Sequence, residues 1–243
     1  MPWWFAVIES RHELQNPTSP DKIRLLGERL ALGPGSRVLD VGCGRGGPAV
    51  LLAEAFGCSI TCVERADEFV AAARERVLGA GLEHLVEVVH MDARDFRAAP
   101  DGYDAVLCLG ASFIWEGLPG ALAALTPATR PGGFVVVGEP YWRRWPLPEG
   151  FDPEPDESYV SLVETVERFE AGGLRFVTLI AASREDWDRY ESLHWLTLEE
   201  WLHEHPHAPE ATEFRELGSS ERERYLQWMR DLLGWAIFVG RRR

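Results

Sequence analysis

The chain is poor in lysine: Lys22 is the single one among 25 basic residues, and these face 39 acidic residues for a formal charge of −14. A surplus of anions cannot displace counterions from a phosphate backbone. That excludes a duplex-tracking role unless the charge is very unevenly spread, and it argues against anchoring on anionic membrane surfaces. Long apolar runs are missing as well. The longest stretch free of charged residues, 117–129, is broken by Pro119 and Pro127, which excludes a spanning helix. Residues 1–8 are apolar but lack a basic start and run into Glu9, against a signal peptide. Cysteine is scarce: Cys43, Cys58, Cys62 and Cys108 sit in a chain too large to need staples, so a reducing cytoplasm is the expectation. No internal repeat and no low-complexity tract is found. What is present, 46% hydrophobic and 26% charged residues in 243, is the balance of one generous globular domain rather than a disordered chain.

The first 140 residues alternate strand-like and helix-like signals at the spacing of βαβ units. A helical N-terminal segment covers residues 1–35, with Ser19-Pro20-Asp21 starting a helix and Gly33-Pro34-Gly35 ending it. A core covers 36–138. In it, strands at 37–41, 59–63, 86–90, 104–109 and 134–137 alternate with helices at 48–56, 67–79 and 118–128. Residues 139–158 are too proline-rich for a helix and too aromatic for an idle linker. A helix near 159–170, a strand at 174–182, an insert of amphipathic helices over 183–233 and a last strand at 234–240 complete the chain. The two segments 139–158 and 183–233 are expected to form a lid.

Gly42-Cys43-Gly44-Arg45-Gly46-Gly47 follows the first strand directly. Glycines there let backbone approach a ligand and offer N–H groups at a helix N-terminus, a pattern shared by several nucleotide folds. Asp40, two residues before the first glycine, narrows the choice. A carboxylate aimed into the pocket repels a pyrophosphate and suits a cation. S-adenosylmethionine (SAM) is a nucleoside that carries a sulfonium and an ammonium and no phosphate.

With these residues the chain resembles the class I SAM-dependent methyltransferases, and the match continues in order over about residues 20–140. The resemblance implies a doubly wound, seven-stranded, mostly parallel sheet in the order 3-2-1-4-5-7-6 with the last strand antiparallel. It implies that Asp40, Gly42, Gly44 and Gly46 form the cofactor loop, that Glu64, with Arg65 beside it, accepts hydrogen bonds from the ribose, and that Asp92 and Ala93 read adenine. Leu109 and Gly110 would line the methionine end. Asn16-Pro17, Gly138-Glu139-Pro140-Tyr141-Trp142-Arg143, residues 186–191 and residues 195–202 resemble a small bacterial subgroup whose members mostly lack an assigned substrate. The cofactor implied is SAM, with S-adenosylhomocysteine (SAH) as product.

Methyl transfer from a sulfonium is an in-line displacement, so the protein chiefly positions the acceptor and excludes water. Eight of the ten tryptophans lie after residue 114. Trp115, Tyr141 and Trp142 follow the fourth and fifth strands, the edge where doubly wound sheets bind ligands, and are expected to wall a small-molecule acceptor. Glu139, His194 and Tyr141 are the catalytic candidates, Glu139 and His194 as bases; the competing roles are a salt bridge from Glu139 to Arg143 or Arg144, and a packing role for His194. Trp187, Trp195 and Trp201 read as ordinary core. His203-x-His205-x-His207 is interrupted by Pro206 and lacks a supporting acid or thiol, so no metal site is assigned. Residues 154–157 read as a solvated acidic face. A non-catalytic SAM-binding module and an NAD-dependent oxidoreductase are the alternatives. The second is disfavoured by Asp40, by the placement of Asp92 and by the antiparallel last strand. A nucleic-acid methyltransferase lacks both the right charge and the Asn/Asp-Pro-Pro-aromatic pattern after strand four.

Overall fold

The computed structural model describes residues 3–155 and 157–243; the first two residues of the apolar start and Asp156 of the acidic run lie outside it. Seven strands form one sheet in the order β3-β2-β1-β4-β5-β7-β6. These are β1 (Arg37–Val41), β2 (Ser59–Glu64), β3 (Val86–His90), β4 (Tyr103–Leu109), β5 (Thr129–Trp142), β6 (Leu174–Ala181) and β7 (Leu233–Arg242). The first five are parallel, and β7 runs antiparallel between β5 and β6. Alternation along each strand divides the core between the two faces. In β4, Ala105, Leu107 and Leu109 meet one cluster while Val106 and Cys108 meet the other.

The first face is covered by α2 (Pro20–Arg29), α3 (Gly47–Phe56) and Val77 of α4 (Asp67–Gly79), together with parts of the late insert. The second is covered by α5 (Leu118–Leu125) and α6 (Leu162–Ala171). Local chemistry fixes the ends of these helices. Ser19 caps α2 by accepting from the Lys22 amide, and Pro20 sits in the first turn, where its missing N–H costs nothing. The insert folds as α7 (Arg184–Glu204), α8 (Ala211–Arg224), a π turn at Tyr225–Met229 and α9 (Arg230–Leu232). Ser183 and Asp186 close a capping box at the start of α7. Asp186 also accepts from the Lys22 ammonium, which ties α7 to α2. The chain begins with α1 (Trp3–Ile8), which packs on α7.

Two strands outrun their expected limits. β5 continues past Val137 to Trp142 because β7 pairs with it all the way, Trp142 opposite Leu233. β7 likewise runs into the basic tail, where Arg241 lies over the Phe134 ring and Arg242 bonds Asp101 and the Thr129 carbonyl. The acidic run 154–157 is not simply solvated either, since Glu157 accepts from Arg224 at the end of α8.

Candidate functional site

Parallel pairing brings the carboxyl ends of four strands level: Asp40 of β1 is in register with Cys62 and Leu107, and Glu64 of β2 with His90. The loops leaving those ends enclose a cavity of about 710 Å³, in the range of small-molecule and cofactor sites. Its walls include Asp40, Gly42, Gly44, Glu64, Arg65, Asp92, Ala93, Leu109 and Gly110, nine of the ten residues expected to hold a cofactor. Gly46 is the exception. It takes a left-handed φ of 74° as the N-cap of α3, turning the chain so that Gly47 and Pro48 of the next turn reach the wall instead.

The carboxylates in this cavity differ sharply in their surroundings. Asp40 is buried and its Oδ2 has no hydrogen-bond partner. Burial, reinforced by the charge of Glu64, pushes it up to about 7. Glu64 is already organised: its Oε1 accepts from the Arg65 and Ala66 amides at 2.8 and 2.9 Å, and its Oε2 from the Gly44 amide at 3.1 Å. Those three bonds fix the carboxylate against the glycine loop and leave acceptor capacity for a ligand. Asp92 is gripped by Arg94, which bonds it through Nε at 3.0 Å and Nη2 at 2.7 Å and holds it well below the usual carboxylate range. Cys43 also faces the cavity, but the neighbouring Cys62 thiol and burial push its thiol up, so it stays protonated and is no nucleophile.

The roof comes from an unexpected quarter. Phe5, Glu13, Gln15 and Asn16 line the cavity, whereas no described residue of 139–158 or 183–233 does. Gln15 Oε1 accepts from the Arg45 amide at 2.7 Å, and Asn16 Nδ2 donates to the Leu109 carbonyl at 3.0 Å. A Cβ on Gly44 would run into Gln15, and one on Gly110 into Asn16, so glycine is required where the roof descends on the loops. The segments expected to form a lid do not wall this cavity: the late insert packs instead against the N-terminal segment that roofs it. Sequence reasoning missed Gln15 and Arg94 entirely.

The catalytic and acceptor candidates are also placed elsewhere. Tyr141 is buried edge-on to Phe238, and burial raises its hydroxyl. Trp142 is buried on the opposite face of β5, against Phe151 and Tyr159. Because the strand extends to residue 142, alternation sends these two rings into separate cores rather than into one pocket. Trp115 packs against the second core. Glu139 makes no ion pair with Arg143 or Arg144 among the described residues. It is buried beside Ser112, raised to about 7 by burial against the Ser112 hydrogen bond, and does not line the cavity. Ser112 opens the 3-10 turn Ser112–Trp115, whose Phe113 and Ile114 do. Glu139 thus stands behind the wall.

His194 fails as a base for a definite reason. Its Nε2 lies 2.9 Å from Oε1 of fully buried Glu9, and Glu191 sits 3.8 Å from its Nδ1. Burial alone would lower it, but these carboxylates raise it to about 9, so at neutral pH it already holds its proton. His203, His205 and His207 are exposed, and His205 stacks on Trp201.

The methyltransferase-domain family model matches residues 38–133, the part that builds the glycine loop and strand ends. A SAM-dependent methyltransferase from Geobacter sulfurreducens, solved with S-adenosyl-L-homocysteine, is 34% identical and superposes with a TM-score of 0.91 over 100% of this chain and 99% of that one. The chain belongs to the SAM-dependent methyltransferases. A second such methyltransferase, from Thiobacillus denitrificans and also solved with S-adenosyl-L-homocysteine, gives a TM-score of 0.92 at 34% identity, covering 100% and 99% of the two chains. The uncharacterized protein YjhP of Escherichia coli is 33% identical over 245 residues, 98% of each chain. The chain is thus an enzyme that uses SAM as methyl donor. This methyltransferase's cavity suits that cofactor on its own terms: a buried, unpartnered carboxylate for a cation, an oriented carboxylate for hydroxyls, and close-approach glycines, while the two arginines on its wall, Arg65 and Arg94, are both paired with Asp92.

Proposed function

We propose that this methyltransferase acts on a small, partly apolar acceptor that enters past Phe113. The observation that carries the reading is the apolar wall that Leu109, Phe113 and Ile114 form at the end of β4, beside the buried carboxylate of Asp40. Phe113 is 72% exposed while also lining the cavity, which places an apolar ring at its entrance. The formal charge of −14 further supports a small molecule over a nucleic acid.

On this reading Glu64 takes the ribose hydroxyls, Asp92 and the Ala93 amide face the adenine, and Asp40 with Gly42, Gly44 and Gly110 holds the methionine end. SAM supplies an activated methyl group for in-line displacement. The chain's own residues orient the acceptor and exclude water, which accounts for roughly 7–11 kcal/mol in well-oriented reactions generally. No described histidine lines the cavity, so the acceptor arrives as a nucleophile with a free lone pair or yields its proton to solvent or to a carboxylate of the wall. Glu139 serves as a positioning residue behind the Ser112–Trp115 turn.

The test is a panel of small amine, phenol, thiol and carboxylate acceptors, scored by SAH formation. With an active acceptor, Phe113→Ala should lower kcat/KM by about 10-fold or more while leaving SAH affinity unchanged. Tight SAH binding without turnover on any member would favour a non-catalytic SAM-binding module. Unchanged kcat/KM in the Phe113 variant would remove the apolar entrance.

A further inference from the structure

A second cluster of chemistry lies under the roof of the cavity and plays no part in the reading above. Glu9 and His12 come from the segment after α1, and His194 from the middle of α7. One ligand-capable atom from each falls within 4.8 Å of the others, and the first two side chains are almost wholly inaccessible. The hydrogen bonds around them define where their lone pairs point. His12 Nε2 donates to the Tyr190 carbonyl at 3.1 Å, so His12 Nδ1 presents its lone pair inward; it has no hydrogen-bond partner. Glu9 Oε1 accepts from the Tyr190 hydroxyl at 2.6 Å and meets His194 at 2.9 Å. Glu9 Oε2 is also buried without a partner, 3.7 Å from His12 Nδ1.

Two buried acceptors facing each other at 3.7 Å are a costly arrangement unless something positive lies between them. The spacing discriminates. Two lone pairs bridged by one water stand about 4.4 Å apart, from ordinary hydrogen-bond lengths. Two ligands on one tetrahedral zinc ion stand about 3.4 Å apart, from bond lengths near 2.1 Å. The observed separation lies nearer the metal value. The surroundings also fit: a metal-bound histidine usually donates its other ring nitrogen to a carbonyl or a carboxylate. His12 has the Tyr190 carbonyl there at 3.1 Å, and the Nδ1 side of His194 faces the Glu191 carboxylate, 3.8 Å away and beyond hydrogen-bond reach. The Ile8 carbonyl is a further oxygen bearing on the His12 ring.

We propose that Glu9, His12 and His194 bind a divalent first-row metal ion of the zinc type. Two imidazoles and a carboxylate are the donor set such ions prefer, and calcium or magnesium would require more oxygens. The ion takes the place of the proton that His194 Nε2 otherwise shares with Glu9. Its role is structural. It clamps the segment carrying Gln15 and Asn16 onto α7, and so holds the roof over the glycine loop; it does not touch the reacting atoms.

The experiment uses the full chain with any affinity tag removed, stripped with chelator and titrated with Zn²⁺ and, separately, with Co²⁺. The expected result is about one ion per chain by elemental analysis, a visible Co²⁺ d–d band, and a Tm rise of several degrees. SAH binding should be weaker in the stripped protein than in the reloaded one. His12→Ala/His194→Ala should lose the ion and the Co²⁺ band. Should that pair fail to fold, Glu9→Gln, of equal size, serves with the same expected loss of affinity. His203→Ala/His205→Ala/His207→Ala should keep the ion. A stoichiometry below about 0.1 with no Tm shift in the wild type, or loss of the ion in the exposed-histidine variant instead, overturns the proposal and leaves the cluster as a proton-sharing network.

Discussion

At Asp40, binding and stability pull in opposite directions. The carboxyl is buried without a partner and raised to about 7. In the unfolded chain it titrates near 3.9. Between those values the folded chain holds more protons than the unfolded one, so stability falls as pH rises from about 4 to about 7. Asp40→Asn should therefore be more stable than the wild type at pH 8, by on the order of 1–3 kcal/mol, or several degrees in Tm. On the proposed reading, in which the ionised carboxylate attracts the cation, the same change should weaken SAM binding. Calorimetric titration of the wild type should show weaker binding at pH 6 than at pH 8, by up to about 10-fold, and little pH dependence in the variant. A wild-type affinity independent of pH would show that Asp40 does not face the ligand's charge. Glu64→Ala should also weaken SAH binding about 10-fold or more, since it removes both the ligand acceptor and the anchor of the Gly44 amide.

At the scale of elements, the junction between α2 and α7 rests on Asp186. Burial alone would raise this carboxyl, but the Lys22 ammonium, Ser183 and Arg189 outweigh it and hold it well below its ordinary value. A lowered carboxyl stabilises the fold above its unfolded pKa near 4, and that contribution is lost as pH falls further. Asp186→Asn should cost about 2–3 kcal/mol at pH 7, read as a fall in Tm, and should lose less on acidification than the wild type does. Equal acid sensitivity in both proteins would detach Asp186 from the effect.

Elements also show what was legible in the sequence. Asp40, Glu64, Asp92 and Leu109 line one cavity, as expected of residues at or just past the ends of short apolar runs, because parallel pairing puts such ends side by side. Tyr141 and Trp142 were misplaced because Gly138, Glu139 and Pro140 read as the end of the strand after Val137, yet β5 runs through them. Its continuation is set by β7, nearly a hundred residues later. The role of residues 9–16 was equally hidden, since Glu9 and Gln15 acquire their partners from Tyr190, His194 and Arg45. His194 stood out by its neighbours in sequence, and one of the two carboxylates that raise it, Glu191, is among them, but the other, Glu9, lies 185 residues away.

For the whole molecule, the cavity depends on the N-terminal segment as well as on the strand ends, its lining running from Phe5 to Ile114. The strand ends supply its floor, and the first sixteen residues supply its roof. Deleting residues 1–16 should leave the sheet folded, with far-ultraviolet dichroism like that of the full chain, while SAH affinity falls by about 10-fold or more from the loss of Phe5, Gln15 and Asn16. A truncated chain that binds SAH as tightly as the intact one would assign the roof no role in binding.

The position of β7 has a consequence for how the protein is made. β6 pairs with β7 alone, and β7 is the last of the seven strands in chain order. Until β7 has been synthesised, β5 presents an open edge and β6 has no neighbour to join. Closure of the sheet waits for β7, and loss of that strand would leave two unsatisfied edges ready to join those of other nascent chains.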